Sequence, residues 1–376
     1  MVTLRMGSKT WVMLKSGRVV SEIIAKRGQI TNERPRMSVL SDLRTVIWQQ
    51  REWREGRHVM HQLLGGSNLK VYTGIQVPKS LDVLRRYLRE SKIVMGYPLN
   101  MTKAQVDDYQ RVTMEFVTVT PSSPIFYSPW RRIWAHTGSF HRRVFYEWWK
   151  PIKTAVSNGS APPSFLRDVL LHLDVRFAVD DEEAMYLATS VMAAGGDTTR
   201  MTINVFTMTM VTRPEAQLRA REDVNRVCMN GESLRFPRMS DLPAMPYVAA
   251  MIKEVQRWRP IVPIVPSHQL SEDLEFDGHF RPPSTCFMIN SIGLSSEFDN
   301  ADAWKVAEQA LFISFDRLLY CFELSTNGLI NDERLNHQAI NEPFPLKVAI
   351  RRSRHASLIK EEASKYEASF STFGAK

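Results

Sequence analysis

The stretch Ala193-Ala194-Gly195-Gly196-Asp197-Thr198-Thr199 lies near the middle of the chain, inside an apolar run from about Asp181 to Thr212. Hydrophobic residues recur in this run at helical spacing, which predicts one long helix. Each of the two adjacent glycines costs a helix about 1 kcal/mol relative to alanine, so close approach of a flat ligand to the bare backbone is one interpretation. The other is a broken helix, with Gly196 ending one segment and Asp197 capping the next.

The composition is that of a globular protein. Of the 376 residues, 44% are hydrophobic and 24% are charged, which suffices for one large domain or two ordinary ones. The net charge is +9, but lysine and arginine are scattered and form no aromatic-interleaved basic motif. This pattern argues against nucleic-acid binding and favours a basic patch for an acidic protein partner or an anionic ligand.

The cysteines and the chain start bear on the cellular compartment. Cys228, Cys286 and Cys321 match neither zinc nor disulfide spacing, which suits a reducing compartment. The first residues lack the apolar region of a signal peptide, and no apolar run reaches the roughly 20 residues of a membrane helix. We therefore expect a soluble, cytoplasmic chain with no transmembrane segment as written.

Periodicity and turn signals predict the remaining elements. A hairpin is expected over Val2–Leu14, and short strands over 263–290 with a turn at Asp277-Gly278. A helix capped by Ser16 is expected to end at Gly28. Further helices are predicted near 48–64, 78–89, 101–118, 140–156, 214–228, 247–258 and 306–324, followed by a strand pair over 343–350 and a charged, disordered tail over 353–376.

Two side-chain pairs at helical spacing are candidate functional groups. Trp53 and Arg57 share one helical face, where they either stack on a carboxylated planar ligand or form a surface cation–π pair. Glu254 and Arg257 are neighbours on another helix. Their apolar surroundings predict partial burial, where loss of one partner costs roughly 3–5 kcal/mol; an exposed pair contributes about 0–1 kcal/mol.

Taken together, these motifs resemble those of cytochrome P450 monooxygenases. Ala194-Gly195-Gly196-Asp197-Thr198-Thr199 resembles the central helix of that family, and Glu254-Val-Gln-Arg257 resembles its Glu-x-x-Arg. Trp53-x-x-x-Arg57 is similar to the helix that holds the haem propionates, and His268 matches a second propionate position. Pro343-Phe-Pro-Leu-Lys-Val resembles the closing strands. The likeness covers nearly the whole chain and is greatest to filamentous-fungal members of secondary-metabolite pathways.

The resemblance implies a fold that is mainly α with small β-sheets, as a single domain over 1–352. It implies that Asp197 and Thr198 supply protons during oxygen activation, and that Gly195 and Gly196 leave room beside the haem. Trp53, Arg57 and His268 would neutralise the haem propionates. Glu254 and Arg257 would form a structural ion pair.

The resemblance also implies partners. The cofactor would be haem, and the substrate would be a small apolar molecule. The protein partner would be an acidic cytochrome P450 reductase, which passes electrons from NADPH, so that NADPH itself does not bind this chain. Full-length relatives are anchored in the endoplasmic reticulum by an amino-terminal helix, and we expect no such helix in the sequence as written.

The chain departs from the family just before the helix that begins at Val306. There the family has a Phe-x-x-Gly-x-Arg-x-Cys-x-Gly loop whose cysteine thiolate ligates the iron. By family spacing the cysteine position falls on Ala301, and the two glycine positions fall on Glu297 and Ala303. The preceding aromatic-Pro-x-Arg-Phe segment is also missing, so we predict a gap near 304–306 and no metal-ligating residue.

Three functions remain open from the sequence. The first is a monooxygenase that oxidises a small apolar metabolite, in which case the present sequence is a shortened gene model, isoform or decaying copy of it. The second is a catalytically dead pseudo-enzyme, or haem-free protein, that binds such a metabolite. The third is a haem-free isomerase or cyclase that uses Asp197 or His268 as acid or base.

Overall fold

The computed structural model of the chain describes residues 1–6, 9–35, 80–81, 84–85, 104, 107–108, 111, 131–161, 165–172, 181–231, 233–295, 305–330 and 344–366. The predicted helix with Trp53 and Arg57 lies outside these residues, as do the loop positions Glu297, Ala301 and Ala303. Within the described part the fold is mainly helical with small sheets, as predicted.

The chain divides into two compact units. The first comprises Met1–Leu69, Met101–Gly195 and Val262–Asp299. The second comprises Lys70–Asn100, Gly196–Ile261 and Asn300–Lys376. A single domain over 1–352 stays a prediction.

A four-stranded sheet organises the first unit. Strands β1 (Val2–Met6) and β2 (Lys9–Leu14) form the predicted antiparallel hairpin. Strand β8 (Cys286–Asn290) pairs parallel to β2, and β5 (Ile264–Gln269) pairs antiparallel to β8, so the order is β1-β2-β8-β5. Four consecutive residues of β8 are buried, which is the pattern of an inner strand covered on both faces.

Short elements surround this sheet. Strands β6 (Leu274–Phe276) and β7 (His279–Arg281) are joined by Asp277 and Gly278, whose φ angles of 50° and 71° give the predicted hairpin turn. The predicted helix after Ser16 is instead α1 (Gly17–Val20), a π-helical turn over Ser21–Ala25, and α2 (Gly28–Thr31). Gly28 begins α2 rather than ending a helix.

Three helices follow in the chain: α3 (Arg131–Ser157), α4 (Phe165–His172) and α5 (Asp181–Thr212). Helix α3 starts earlier than predicted, and Gly159 follows its end with a φ of 67°. The start of α5 is held to α3, because Trp149 Nε1 and Lys153 Nζ donate to the Asp181 carboxylate at 3.3 and 2.8 Å.

The second unit is built on helices α6 (Pro214–Cys228), α7 (Pro246–Trp258) and α9 (Lys305–Cys321). The short helix α8 (Ser291–Leu294), which comes before α9 in the chain, belongs to the first unit. Between α6 and α7 lie strands β3 (Met229–Asn230) and β4 (Ser233–Leu234) and a 3₁₀ helix over Met239–Ala244. The apolar core includes Phe206, Val224, Val248, Ile252, Phe312, Phe315 and Leu319. The rings of Phe206 and Phe315 stack with centroids 3.8 Å apart.

The carboxyl-terminal predictions need two corrections. The helix predicted over 306–324 ends at Cys321, and strand β9 (Phe322–Ser325) follows it. Strand β9 pairs with β10 (Lys347–Ile350), so only one strand of the predicted pair lies within 343–350. The tail predicted to be disordered contains helix α10 (Ser353–Lys365), in which residues 355, 359 and 363 form a buried stripe.

The first turn of α7 is capped by a side chain from α6. Asp223 Oδ2 accepts a hydrogen bond from the Tyr247 backbone N–H at 2.7 Å, and Oδ1 accepts one from Arg226 at 2.7 Å. We expect Asp223→Ala to lower the free energy of unfolding by about 1–2 kcal/mol, because a backbone donor at a helix start loses its charged acceptor. Urea denaturation measures the change, with the exposed Glu222→Ala on the same helix as control; equal effects of both variants would contradict the cap.

Candidate functional site

Helix α5 is continuous through the two glycines, so the interpretation of a helix broken at Gly196 is wrong. Gly195 is exposed, and a Cβ added there would meet no other heavy atom of the described residues within 4 Å. Packing therefore does not require glycine at this position. Asp197 lies within the helix and Thr198 is half-buried. The Thr202 hydroxyl donates to the Thr198 carbonyl at 2.8 Å, a bond to the preceding helical turn that threonine commonly makes within helices.

His268 of β5 lies beside α2 in the first unit. Its Nδ1 is 2.9 Å from the carbonyl oxygen of Thr31. A carbonyl only accepts hydrogen bonds, so we assign the ring proton to Nδ1. Burial, followed by the charge of Arg34, lowers the pKa of His268 to about 4, and the bond to Thr31 partly opposes this shift. The imidazole is therefore neutral near pH 7.

Arg34 is a cation that the sequence analysis did not identify. Its guanidinium donates to the Ser267 carbonyl at 2.9 Å, and burial lowers its pKa. The Gln269 N–H donates to the Glu33 carbonyl at 2.7 Å, which brings this segment onto the end of β5. Because the pairing joins residues far apart in the chain, no local pattern could have revealed Arg34. A half-buried guanidinium whose charge acts on a nearby imidazole suits a carboxylate.

Glu254 and Arg257 form the predicted ion pair in the second unit. Arg257 Nε and Nη2 donate to the two carboxylate oxygens at 2.6 and 2.7 Å, and the bond to Glu254 raises the pKa of Arg257. The prediction of partial burial is wrong for Glu254, whose side chain is 57% exposed. The apolar residues Val248, Met251, Ile252 and Val255 occupy the buried face of α7, and the pair lies outside it. Such a pair contributes about 0–1 kcal/mol.

The predicted site residues are thus distributed over both units. Gly195 and His268 belong to the first unit, and the second contains Gly196, Asp197, Thr198, Glu254 and Arg257. Trp53 and Arg57 lie outside the described residues. The structure joins Glu254 to Arg257 and adds Arg34 beside His268. The catalytic and cofactor-binding roles stay predictions.

Comparison with known proteins identifies the family. The sequence profile described as Cytochrome P450 matches residues 89–308, which is more than half of the chain. The chain belongs to the cytochrome P450 family. A zebra fish cytochrome P450, in a structure with abiraterone, has the same fold with a TM-score of 0.71 and 18% sequence identity, and the match covers 93% of this chain and 96% of that one.

Fungal cytochrome P450 monooxygenases are similar in sequence. One from Armillaria gallica is 27% identical over 315 residues, covering 74% of this chain and 60% of the relative. One from Rhodocybe pseudopiperita is 27% identical over 331 residues, covering 76% of this chain and 62% of the relative. The matched part of this cytochrome P450 thus spans about 60% of the length of these relatives. In the part of the chain that the structure describes, no helix combines the length and apolarity needed to cross a membrane.

The family implies haem as cofactor, and the described residues fit only part of it. Arg34 and His268 suit the carboxylates at the edge of the macrocycle. The iron of this family requires a cysteine thiolate. All three cysteines of the chain are among the described residues, so each can be tested as a ligand.

None of the three cysteines fits as the iron ligand. Cys286 is 0% exposed in the inner strand β8, and Cys228 and Cys321 are buried in the core of the second unit. Burial raises the pKa of Cys228 to about 12 and that of Cys286 to about 11, and it raises the pKa of Cys321 as well. A reactive thiolate lies in an electropositive, partly open environment, and a macrocycle could reach these sulfurs only if their helices or strands separated.

Proposed function

We propose that this cytochrome P450 binds a small apolar metabolite of the kind found in fungal secondary metabolism, and that the chain as written does not carry out haem-thiolate oxidation. The observation that carries this proposal is the burial of all three thiols within secondary-structure elements. Without a thiolate, bound haem lacks the electron donation on which oxygen cleavage in this family depends.

Metabolite binding is supported by features of the first unit. Gly195 leaves the backbone of α5 exposed, and a Cβ there would meet no heavy atom of the described residues within 4 Å, so packing against these residues does not explain the cost of a glycine in the helix. Arg34 and His268 offer a position for a carboxylate. Because His268 is neutral near pH 7, an anion bound at its Nε2 would be accompanied by proton uptake.

The second candidate function is the family's monooxygenation, with electrons delivered from NADPH by a reductase. The intact Ala194-to-Thr199 motif on a continuous helix favours it. The net charge of +9 suits an acidic reductase. Both features are also compatible with a protein that binds a metabolite without oxidising it. Whether a cysteine thiolate ligates the haem iron therefore decides between the two functions.

The deciding experiment is an absorbance spectrum of the purified chain supplied with haem and then reduced under carbon monoxide. We expect no thiolate-type shift of the Soret band. The matched controls are the single variants Cys228→Ala, Cys286→Ala and Cys321→Ala. A thiolate-type band in the parent chain that disappears in one of these variants would identify the iron ligand, overturn the proposal and favour the monooxygenase.

A second experiment measures binding in the absence of haem with two related probes. Danthron (1,8-dihydroxyanthraquinone) is a planar apolar anthraquinone, and rhein is the same molecule with one carboxylate added. We expect Gly195→Ala to stabilise the free chain by about 1 kcal/mol and to reduce the thermal shift produced by both probes. Arg34→Gln is expected to reduce the shift with rhein only. Unchanged shifts in both variants would show that these residues do not form a binding site.

A further inference from the structure

Helix α10 carries a buried histidine in its first turn. His355 is 0% exposed, and neither of its ring nitrogens has a hydrogen-bond partner among the described residues. His268, by contrast, is bonded to a carbonyl. An unbonded buried imidazole is tolerated only in its neutral form, because a charge at this position would be neither hydrated nor paired.

The described residues around His355 offer no compensation for a positive charge. Tyr320 of α9 packs edge-on against the ring, with centroids 4.7 Å apart and planes at 85°. The Tyr320 hydroxyl donates to the Cys228 carbonyl at 3.2 Å and so is committed elsewhere. The charges that act on His355 are those of Arg351 and Arg352 in the preceding turn, and both oppose protonation.

Among the described residues, β4 and β10 also pack against α10, and α9 contributes Arg317, whose charge interacts with Glu362 on the last turns of α10 and with Tyr366 directly after it. Strand β4 consists of Ser233 and Leu234, which do not ionise, and the charged residue of β10 is Lys347, which is exposed. Helix α10 is held mainly by the stripe of His355, Ile359 and Ala363, all at most 1% exposed. Leu358 and Tyr366 pack against the same core but are only partly buried, so the fully buried contact is small and includes the titrating group.

We propose that α10 is an acid-released latch: His355 takes up a proton only when α10 leaves its position, so the helix detaches in mildly acidic solution before the rest of the second unit unfolds. Detachment uncovers Tyr320 and the neighbouring apolar surface of α9. This inference is independent of haem and of metabolite binding.

The direction and the pH window follow from the burial of the ring. Burial and the two arginines lower the pKa of His355 to about 4, whereas an exposed histidine titrates near 6.5. The docked helix therefore has its full stability above pH 6.5 and loses it as the pH falls from 6.5 towards 4. By linkage, the opening equilibrium of α10 is expected to rise about 30-fold between pH 8 and pH 5.

Hydrogen exchange of the intact chain, resolved by peptide and corrected for the intrinsic pH dependence of exchange, tests the latch. We expect α10 amides to open about 30-fold more at pH 5 than at pH 8, while α6 amides in the same unit change far less. His355→Phe keeps an aromatic ring against Tyr320 and removes the titration, so the pH dependence of α10 should disappear. The exposed His279→Gln should leave it unchanged.

Two outcomes would overturn the latch. One is the same pH dependence of α10 in His355→Phe as in the parent chain. The other is simultaneous opening of α10 and α6, which would mean global acid unfolding. If His355→Phe does not fold, an NMR titration of the parent chain decides the question, because a ring that titrates near 6.5 while α10 remains protected cannot drive release.

Discussion

Replacing Asp316 with leucine is expected to raise the free energy of unfolding by about 2–4 kcal/mol. Asp316 of α9 is 0% exposed, and neither carboxylate oxygen has a hydrogen-bond partner in the described part of the chain. Phe312, Phe315 and Leu319 lie on the same helix and are fully buried. Leucine has a similar size, fits this apolar environment and removes a polar group whose hydration is lost on folding.

The pH dependence gives the same variant a second readout. Burial raises the pKa of Asp316 well above its ordinary value, the charges of Asp241 and Asp223 add to the effect, and Arg317 opposes it. The folded chain therefore keeps a proton that the unfolded chain releases, so this residue makes stability fall as the pH rises above about 3.8. Asp316→Leu should remove that slope.

Urea denaturation at pH 5 and pH 8 measures both effects. Asp316→Asn is the matched control, because it removes the ionisation but leaves an unbonded polar group. It should flatten the pH dependence and give a smaller gain in stability than leucine. If Asp316→Leu is less stable than the parent chain at both pH values, the carboxyl group has a stabilising partner and the prediction is wrong.

Replacing Gln217 with leucine is expected to lower the free energy of unfolding by about 3–5 kcal/mol. Gln217 of α6 is 3% exposed. Its amide bonds both backbone groups of Leu324: Nε2 donates to the carbonyl at 2.9 Å, and Oε1 accepts from the N–H at 3.1 Å. Nε2 also donates to the Met210 carbonyl at 3.0 Å. The side chain thus completes β9 in the way that a neighbouring strand would.

Loss of this amide affects a further buried group. Arg221 donates both to Gln217 Oε1 and to the Phe322 carbonyl, and burial lowers the pKa of Arg221 to about 10. Leucine at 217 would leave three backbone groups and part of a buried guanidinium without partners, each costing about 1–3 kcal/mol before relaxation.

Gln217→Glu tests the assignment of the amide. Glutamate keeps the acceptor for Leu324 and Arg221 but loses the two N–H donations, so we expect a smaller loss of stability than with leucine. Chemical denaturation measures the total change, and hydrogen exchange of β9 amides localises it. A loss below about 1 kcal/mol with Gln217→Leu would contradict the network.

Hydrophobic periodicity and turn residues predicted the elements whose local sequence is enough to specify their structure. The long apolar run of α5, the hairpin of β1 and β2, and the Asp277-Gly278 turn follow from periodicity and turn chemistry, and all three are confirmed. Helix α10 was missed because charged residues dominate its sequence and only its narrow stripe is apolar. Strand β9 was read as helix because its residues continue the apolar run of α9.

The candidate site was less accessible to sequence reasoning for a physical reason. Arg34 becomes a candidate only through the pairing of Glu33 with Gln269, which joins distant parts of the chain. The exposure of Glu254 depends on which face of α7 the second unit covers, and one helix turn contains residues of both kinds. The position of the cysteine loop could be counted from Val306, but the inaccessibility of the three thiols required the structure.

Because all three cysteine thiols are buried, their chemical modification can report when each unit of the chain unfolds. A thiol-modifying reagent in solution cannot reach Cys286 while β8 remains in its sheet, nor Cys228 and Cys321 while the core of the second unit is closed. The rate at which each cysteine is labelled therefore measures how often its unit opens. Identifying the peptide that is labelled first shows which unit opens first. The thiols of the folded chain should also stay reduced and unalkylated without any protecting reductant.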